Sequence, residues 1–294
     1  MIRLTQLIEQ ENLVVKDVAI MLHTPKEAQL RRVLPDYVIQ KTHLFNAYQS
    51  SHSGPATATL RGRKYVASFV AMDDGTLVLA GVYLIGGVRS RVIAELRTDP
   101  DVIALNSAFN VYPEITGDPA AVVSWFDLRL TSHMGEYVGR LRIKTKLTQT
   151  YVRLAETFEK EAGKIIAIER ESVLSAHAPD WNKCIATGAF LRELPQSWAV
   201  RLREWKGIYL IIDTDGKRYV GSAAGADGLL GRWRDHIAMD ANCAVELKKR
   251  DPAGFRFSIL EVASKGDTVE DIVAMETNWK ARLLTRDAWG LNKN

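Results

Sequence analysis

The spacing of apolar residues changes along the chain from a helix-like to a strand-like pattern. In residues 1 to about 50, the apolar positions Leu4, Leu7 and Ile8, and then 18–22, are spaced roughly as in packed helices. From about residue 56 the apolar runs become short and predict a β-rich region. The predicted strands are 65–71, 77–85, 102–105, 122–130, 138–143 and 164–169. A hairpin turn is predicted at 73–75, the second strand is predicted to close at Gly86 and Gly87, and a helix is predicted over 148–162.

The last third of the chain has a clearer pattern of strands and helices. Apolar runs at 207–213 and 217–221 flank Asp215-Gly216, which predicts a hairpin. A helix over 229–239, a strand over 255–261 and a helix over 268–284 follow, with Thr268 as a suitable N-cap. A further helix over 196–205, starting after Pro195, leads into the first strand. The predicted order is β-β-α-β-α.

The distribution of tryptophan indicates where the second domain begins. Of 7 tryptophans, only Trp125 precedes residue 180. We therefore predict two domains, 1–194 and 195–294. The predicted elements indicate an α+β fold class, in which the first domain is mixed with a β-rich core.

Composition narrows the class of protein without assigning a function. With 294 residues, 47% hydrophobic and 25% charged, the chain has the composition of a soluble globular protein. Cys184 and Cys243 lie far apart, which argues against a zinc site and a disulfide framework. No apolar run near the start resembles a signal peptide or a membrane span, so we expect a cytoplasmic protein with no membrane partner. The net charge of +4 is compatible with a polyanionic partner but does not require one.

Two groups of basic residues in the first domain are candidates for DNA contact. Four cations recur at every second position, so a strand would place them on one face; they are Arg140, Arg142, Lys144 and Lys146. The second group is Arg61, Arg63 and Lys64. Candidates for stacking on a flipped or modified base are Phe45, Tyr48, Phe69, Tyr83 and Trp125. For any one of these residues taken alone, a solvated cation or a core aromatic is the favoured explanation.

Five landmarks follow one another in the last third of the chain. They are Gly207-Ile208-Tyr209, Tyr219-Val220-Gly221, the pair Arg232 and His236, Glu276, and Gly290-Leu291-Asn292. This order resembles the GIY-YIG nuclease family, and the resemblance covers roughly residues 195–294. It implies a three-stranded antiparallel sheet with flanking helices and an enzyme that hydrolyses phosphodiester bonds in DNA.

The resemblance also implies a role for each landmark residue. Tyr209 takes the position assigned to the attacking water, and Tyr219 takes the second tyrosine position. Arg232 would contact the scissile phosphate, and His236 would serve with Tyr209 or at the leaving group. Glu276 would bind one divalent ion, Mg²⁺ or Mn²⁺, per active site, while Asn292 would support the site. Ser222 stands where the repair incision members often have lysine, which counts against a repair assignment.

The residues themselves are compatible with these roles but leave alternatives open. Glu276 lies in the apolar stripe of its predicted helix, where an unpaired carboxylate is costly to bury. Metal coordination explains it, and so would an ion pair with Lys280 one turn later. Arg232 and His236 share one helix face and, without the motif, could be solvated surface groups. The two tyrosines could be residues favoured in half-buried strands.

The sequence therefore predicts a restriction-type endonuclease that cuts double-stranded DNA with one metal ion. The N-terminal domain would recognise a sequence or a base modification. A structure-selective repair or recombination nuclease is the second enzyme hypothesis, and a DNA-binding protein that no longer cuts is the third. Because one active site cuts one strand, we expect a homodimer at least on DNA.

Overall fold

The structure is a computed structural model that describes residues 2–52, 54–146, 150–160, 163–174 and 178–293. The chain forms two compact units, residues 1–176 and 177–294. The predicted domain boundary between residues 194 and 195 lies farther along the chain. The segment between the two positions contributes a strand to the C-terminal sheet, so the compact unit begins earlier than the sequence landmarks do.

The first unit is built on one mixed sheet. Its described strands are β1 Val18–His23, β2 Ser51–His52, β3 Tyr65–Ala71, β4 Leu77–Val92, β5 Val122–Leu130, β6 Leu141–Lys144, β7 Val152–Leu154 and β8 Lys164–Ile168. The strand order is β2-β5-β4-β3-β1-β7, with β6 paired to β4 and to β8. Strands β1 and β3 run parallel, whereas the other pairs described are antiparallel.

Helices pack on this sheet and close its core. The described α-helices are α1 Leu4–Gln10, α2 Ala28–Gln40, α3 Thr42–Tyr48, α4 Gly54–Arg61, α5 Ile93–Leu96 and α6 Pro100–Phe109. Helix α1 buries Leu4, Leu7 and Ile8 in the same apolar cluster as Ile20 of β1 and Phe69 of β3. The apolar residues whose spacing predicts α1 thus form the helix face that packs in the core.

Several predicted strands are confirmed. Strands 65–71 and 122–130 have the predicted bounds, and 164–169 corresponds to β8. The hairpin at 73–75 is also present, and there the Asp74 carboxylate accepts hydrogen bonds from the backbone amide and the hydroxyl of Thr76 at 3.0 and 2.6 Å. Short apolar runs bounded by turn residues were sufficient to locate these elements.

Two predictions failed because an apolar run does not by itself distinguish helix from strand. Residues 18–22, expected to be helical, form β1, whose six residues are all buried between β3 and β7. Residues 102–105, expected to be a strand, lie in α6. There Asp99 caps the amides of Asp101 and Val102, and Pro100 occupies the first turn, so the start signals for a helix prevail.

Three other expectations were wrong about where elements end. Strand β4 does not close at Gly86 and Gly87 but continues to Val92 across an irregularity in its pairing with β5. The helix expected over 148–162 falls partly outside the described residues, and its described part, 150–160, contains β7 instead. The basic strand extends only over Leu141–Lys144, so Arg142 and Lys144 alone among the four cations share a strand face.

The second unit contains a four-stranded antiparallel sheet in the order β11-β10-β12-β9. Its strands are β9 Ile185–Thr187, β10 Gly207–Ile212, β11 Arg218–Ala223 and β12 Arg256–Val262. Its described α-helices are α7 Gly188–Arg192, α8 Gln196–Glu204, α9 Gly228–Ala238 and α10 Val269–Arg282. The predicted β-β-α-β-α order is confirmed, and β9 adds a strand that was not expected.

The two faces of this sheet pack against different helices. Ile208 and Val220 form an apolar cluster with Ile272 of α10. Tyr209, the next residue along β10, faces the opposite side, where its ring lies 6.4 Å from that of Trp233 in α9. Because side chains alternate along β10, one face of the sheet packs against α10 through apolar residues and the other face carries polar groups.

No α-helix in the described part of the chain is long and apolar enough to cross a membrane.

Candidate active site

A buried hydrogen bond joins the first-motif tyrosine to the histidine of α9. The Tyr209 hydroxyl oxygen lies 2.7 Å from His236 Nε2, and both residues are fully buried. His236 Nδ1 has no hydrogen-bond partner among the described residues. Burial lowers the pKa of His236 to about 4, and the positive charge of Arg232 adds to this effect. The imidazole is therefore neutral at neutral pH and can accept the phenol proton at Nε2.

The second-motif tyrosine lies beside this pair. The ring centroid of Tyr219 is 5.5 Å from that of His236 and 6.4 Å from that of Tyr209. Gly221 provides the space for this arrangement, because a Cβ atom there would overlap the Tyr209 hydroxyl and approach the Tyr219 ring to 2.8 Å. The glycine that ends the second motif is thus required by the position of the two phenols.

A glycine is also required at the start of the first motif. Gly207 has a φ of +143°, in the region that favours glycine, and a Cβ there would overlap the carbonyl oxygen of Glu261 in β12. This close approach allows β10 to pair with β12 immediately before Tyr209.

Neither phenol ionises readily in this environment. Burial raises the pKa of Tyr209 well above its usual value, Tyr219 adds to the increase, and Arg232 opposes it. Burial likewise raises the pKa of Tyr219 to about 12, with a further contribution from the negative charge of Glu276. Tyr209 can therefore act as a base only if it transfers its own proton at the same time, and His236 Nε2 is positioned to accept it.

Arg232 brings a cation to the same place from one turn earlier in α9. Its guanidinium donates to Asp235 Oδ2 at 3.1 Å and to the backbone oxygen of Asn242 at 3.3 Å, while about a third of the side chain (31%) remains exposed. Its charge acts on both Tyr209 and Tyr219. The guanidinium is thus oriented by neighbours yet accessible to a phosphate.

Glu276 approaches the phenols from α10. Its Oε1 lies 2.8 Å from Lys280 Nζ, and its Oε2 accepts a hydrogen bond from the Ser222 hydroxyl. The side chains of Glu276 and Lys280 are only 16% and 10% exposed. The ion pair that the sequence offered as the alternative to a metal is therefore present, although it leaves the carboxylate within electrostatic reach of both tyrosines.

The donors around Glu276 suit a hard cation. Carboxylate and hydroxyl oxygens are ligands of Mg²⁺, which keeps several of its own waters and needs few ligands from the protein. Among the described residues, no group of three or more His, Cys, Asp or Glu side chains could enclose a metal ion. The residues present fit a largely hydrated divalent ion held by one carboxylate, and do not fit zinc.

Asn292 pairs with the backbone of β11, the edge strand of the sheet. Its Oδ1 accepts from the backbone amide of Val220 at 2.9 Å, and its Nδ2 donates to the carbonyl oxygen of Val220 at 2.8 Å. These two bonds hold β11 in place beside Tyr219. Asn292 is therefore a positioning residue for the second motif.

The structure thus groups Tyr209, Tyr219 and His236, with the charges of Arg232 and Glu276 within electrostatic reach of both phenols and Asn292 bonded to the backbone of Val220. Sequence reasoning did not identify Ser222 as a partner of Glu276, and regarded Lys280 only as a competing explanation. The spacing of four between Glu276 and Lys280 was the available signal for their pairing. Ser222 carried no signal, because its contact depends on how α10 packs against β11.

The predicted DNA-contacting cations differ in whether they form ion pairs with acidic residues of the protein. Arg63 forms a bidentate pair with Glu156 at 2.9 and 3.1 Å, and Lys64 pairs with Asp17 at 2.7 Å. Arg142 lies 2.8 Å from Asp74 and 2.9 Å from Glu169. Their charges are therefore largely offset.

The remaining predicted cations have fewer or no acidic partners. Arg140 donates to the backbone oxygens of Glu136 and Glu169 at 2.9 and 2.7 Å. Arg61, Lys144 and Lys146 are exposed and form no ion pair with any residue in the described part of the chain. These three are the cations of the two groups that remain free to meet a phosphate.

Comparison with known families agrees with this geometry. Residues 205–292 match the family model of the GIY-YIG catalytic domain, and this segment contains Tyr209, Tyr219, Arg232, His236 and Glu276. No significant match was found among curated proteins or solved structures. Residues 205–292, in the C-terminal part of this chain, therefore correspond to a GIY-YIG catalytic domain.

Proposed function

We propose that this protein is a divalent-metal-dependent DNA endonuclease of the restriction type. Residues 195–294 would cut the DNA, and residues 1–194 would recognise a sequence or a base modification. The observation that carries the cleavage chemistry is the 2.7 Å hydrogen bond between the Tyr209 hydroxyl and His236 Nε2, with Arg232 beside it.

Proton transfer at Tyr209 follows from this bond. As a water molecule attacks the phosphorus, the Tyr209 oxygen takes a proton from the water, and the phenol proton moves to His236 Nε2. Tyr209 thus remains neutral throughout, in agreement with its raised pKa. Because the pKa of His236 is lowered to about 4, the histidine readily gives up the proton it receives.

Charge on the phosphate is balanced by the protein's own cation and by the metal. Arg232 presents a guanidinium that stays charged at any working pH and can contact two phosphate oxygens. Glu276, with Ser222 beside it, would hold the divalent ion, which when bound supplies positive charge at the scissile phosphate. Lys280 would leave Glu276 Oε1 or share it with the metal.

The separate N-terminal unit supports a restriction role over a repair role. It has its own mixed sheet and core, and it is larger than the nuclease unit. A specific DNA interface buries about 1,000 Å² or more of protein, which a small catalytic domain alone does not provide. Ser222 also stands at the position where repair incision members of the family often have lysine. A cytoplasmic location, and a homodimer on DNA that cuts both strands, belong to this proposal.

Cleavage of a supercoiled plasmid tests the proposal directly. We expect the full chain to cut in Mg²⁺ or Mn²⁺ and not in EDTA, and Glu276→Ala to reduce cutting at least about 100-fold while DNA binding persists. Glu270→Ala, which removes an exposed carboxylate from the same helix, is the matched control and should cut normally. Full cutting by Glu276→Ala would remove the assigned metal ligand.

The type of nuclease is tested by offering unmodified, cytosine-modified and branched DNA side by side. Discrete fragments from one linear substrate indicate restriction. Cutting confined to the branched substrate would replace the restriction hypothesis with a structure-selective nuclease. Absence of cutting in every metal, with binding intact, would favour a protein that binds DNA without cleaving it.

A further inference from the structure

A cavity of about 380 Å³ lies in the N-terminal unit at the end of β1. It includes His23, the last residue of β1, and Ser51 and His52, which form β2. Tyr48, Tyr112 and Tyr151 also line it. We call it the His23–His52 cavity. Because β1 runs parallel to β3, the cavity lies at the carboxyl end of a parallel strand, where open sheets commonly bind ligands.

A second depression adjoins the cavity. It has a volume of about 530 Å³ and shares Ser51, His52, Glu114 and Tyr151 with the cavity. A ligand in the inner part could therefore remain attached to a larger molecule outside. The inner volume is within the range of small-molecule sites, about 300–1,000 Å³.

Two histidines in its wall are buried with an unused ring nitrogen. His23 and His52 are only 4% and 8% exposed, and the Nε2 atom of each has no hydrogen-bond partner among the described residues. On its other side, His52 Nδ1 lies 3.0 Å from the Tyr151 hydroxyl. A buried polar atom without a partner costs about 1–3 kcal/mol, so two in one cavity indicate groups reserved for a ligand.

Both imidazoles are neutral, which limits the ligand that they could bind. Burial lowers the pKa of His23 to about 3, with a smaller contribution from His52. Burial also lowers the pKa of His52 to about 4, although hydrogen bonding to the Gln49 backbone opposes the shift. The charged residues of the cavity wall are Lys26 and Glu114, which are exposed and opposite in sign. The interior therefore does not suit a phosphate or a carboxylate.

Aromatic rings form part of the cavity wall beside the two histidines. The ring of Tyr48 lies 5.3 Å from that of His23, and the ring of Tyr151 lies 5.8 Å from that of His52. Each neutral imidazole carries one N–H donor and one acceptor nitrogen. A flat, uncharged ring with both donors and acceptors on its edge matches such a wall.

We infer that the His23–His52 cavity binds a single nucleobase turned out of duplex DNA. Enzymes that inspect or modify a base take it from the stack into such a pocket, where aromatic side chains stack on it and polar groups read its edge. The inference rests on the proposed function, since it makes this base the feature that the N-terminal unit recognises. A free nucleoside contains the same nucleobase, so it is the alternative ligand that the experiment has to distinguish from a base in DNA.

The experiment uses the full chain without divalent metal, so that DNA is bound but not cut. Permanganate footprinting of a long mixed-sequence duplex detects unstacked thymines. 2-Aminopurine, placed at successive positions of the bound DNA segment, detects any unstacked base by its fluorescence. We expect one position to become unstacked. Thr24→Trp, which fills the cavity from its half-buried rim, should abolish that signal and weaken specific binding at least about tenfold, as loss of one recognised base does. Thr98→Trp, an exposed threonine outside the cavity wall, should leave both unchanged.

A second variant tests the inference if Thr24→Trp does not fold. Tyr151→Phe removes only the hydroxyl that meets His52 Nδ1, and should reduce the preference for the chosen base about tenfold without changing the melting temperature of the protein by more than a few degrees. A folded Thr24→Trp protein that still unstacks the base and still cuts at the same place overturns the inference while the nuclease assignment stands. Binding of free deoxynucleosides with no unstacked base in DNA also overturns it. If the wild-type protein does not cut DNA in any metal, the proposed function is wrong. The footprint, which needs no cutting, still decides whether the cavity binds a base.

Discussion

The Lys280 ammonium lies 2.8 Å from Glu276 Oε1, one helical turn away from the carboxylate that the sequence assigns to the metal. The Ser222 hydroxyl occupies the other oxygen of the same carboxylate. Both oxygens are therefore engaged by the protein itself. A divalent ion that bound Glu276, as we propose, would have to compete with Lys280 for one of them, so we expect Lys280 to raise the metal concentration that the site needs.

Removing this competitor should strengthen metal binding. Lys280→Met keeps the length of the side chain and its packing but removes the charge. We expect the dissociation constant for Mn²⁺, measured by calorimetry without DNA, to fall about three- to tenfold, the equivalent of about 0.7–1.4 kcal/mol. Lys265→Met, which removes an exposed lysine from the same unit, should bind Mn²⁺ like the wild type. Weaker Mn²⁺ binding by Lys280→Met would mean that Lys280 orients Glu276 instead of competing for it.

The placement of the motif residues on one hairpin and one helix face could be predicted from local order, whereas their chemical roles came from the family resemblance. Tyr209 and Tyr219 lie on neighbouring strands of one hairpin, and Arg232 and His236 lie one turn apart on one helix. Such relationships follow directly from strand and helix periodicity. The contact between Ser222 and Glu276 joins residues 54 positions apart, and no local period encodes it.

The space above Gly221 should be essential for the pair of phenols. Gly221→Ala introduces a Cβ that overlaps the Tyr209 hydroxyl, so we expect a loss of about 1–3 kcal/mol in the free energy of unfolding and a decrease in cleavage rate of at least about 100-fold. Gly225→Ala is the control, since a Cβ at Gly225 meets no atom within 4 Å. Urea unfolding and plasmid cleavage measure the two effects. Equal activity of the two variants would show that Tyr209 does not need its observed position.

The N-terminal unit was harder to predict because its strands are defined by distant partners. Strand β1 is buried on all its residues, so its apolar run has no period that separates a strand from a helix. Strand β7 has only three residues and forms because β1 offers it an edge. Strand β4 continues beyond two glycines because β5 pairs with it on the far side. In each case tertiary pairing outweighs the local preference of the sequence.

The guanidinium of Arg232, and not merely its charge, should be needed for cleavage. Arg232→Lys keeps the cation but loses the planar fork that contacts Asp235 and the Asn242 carbonyl. We expect the single-turnover cleavage rate to fall about 100-fold or more at saturating DNA. Arg234→Lys, two residues along α9 at an exposed position, serves as the matched control and should cut normally. A wild-type rate for Arg232→Lys would leave Arg232 with only a long-range electrostatic role.

The free and the engaged cations of the N-terminal unit should respond differently to salt. Lys144 is exposed and has no acidic partner among the described residues. If Lys144 contacts one phosphate, Lys144→Gln should make the plot of log binding constant against log salt concentration less steep by about 0.9. Arg142→Gln should leave the slope unchanged and instead destabilise the unit, because Asp74 and Glu169 lose their partner. Fluorescence anisotropy of a labelled duplex over a salt series, without divalent metal, measures the slopes. The reverse pattern would mean that Arg142, and not Lys144, contacts the phosphate.

The neutral, buried state of His236 should make the nuclease unit sensitive to mild acid. The pKa of His236 is lowered from 6.5 to about 4, first by burial and then by Arg232, so the folded unit binds this proton less well than the unfolded chain does. The resulting stability is fully present above pH 6.5 and is lost as the pH falls towards 4, at most about 3 kcal/mol in total. Of the 7 tryptophans only Trp125 lies in the N-terminal unit, so urea unfolding followed by tryptophan fluorescence reports mainly on the nuclease unit. His236→Gln, which cannot take up this proton, should flatten the decrease between pH 6.5 and 4, whereas substitution of the exposed His43 by glutamine should not. An unchanged slope in His236→Gln would mean that folding does not lower the pKa of His236, which would contradict its burial as a neutral imidazole.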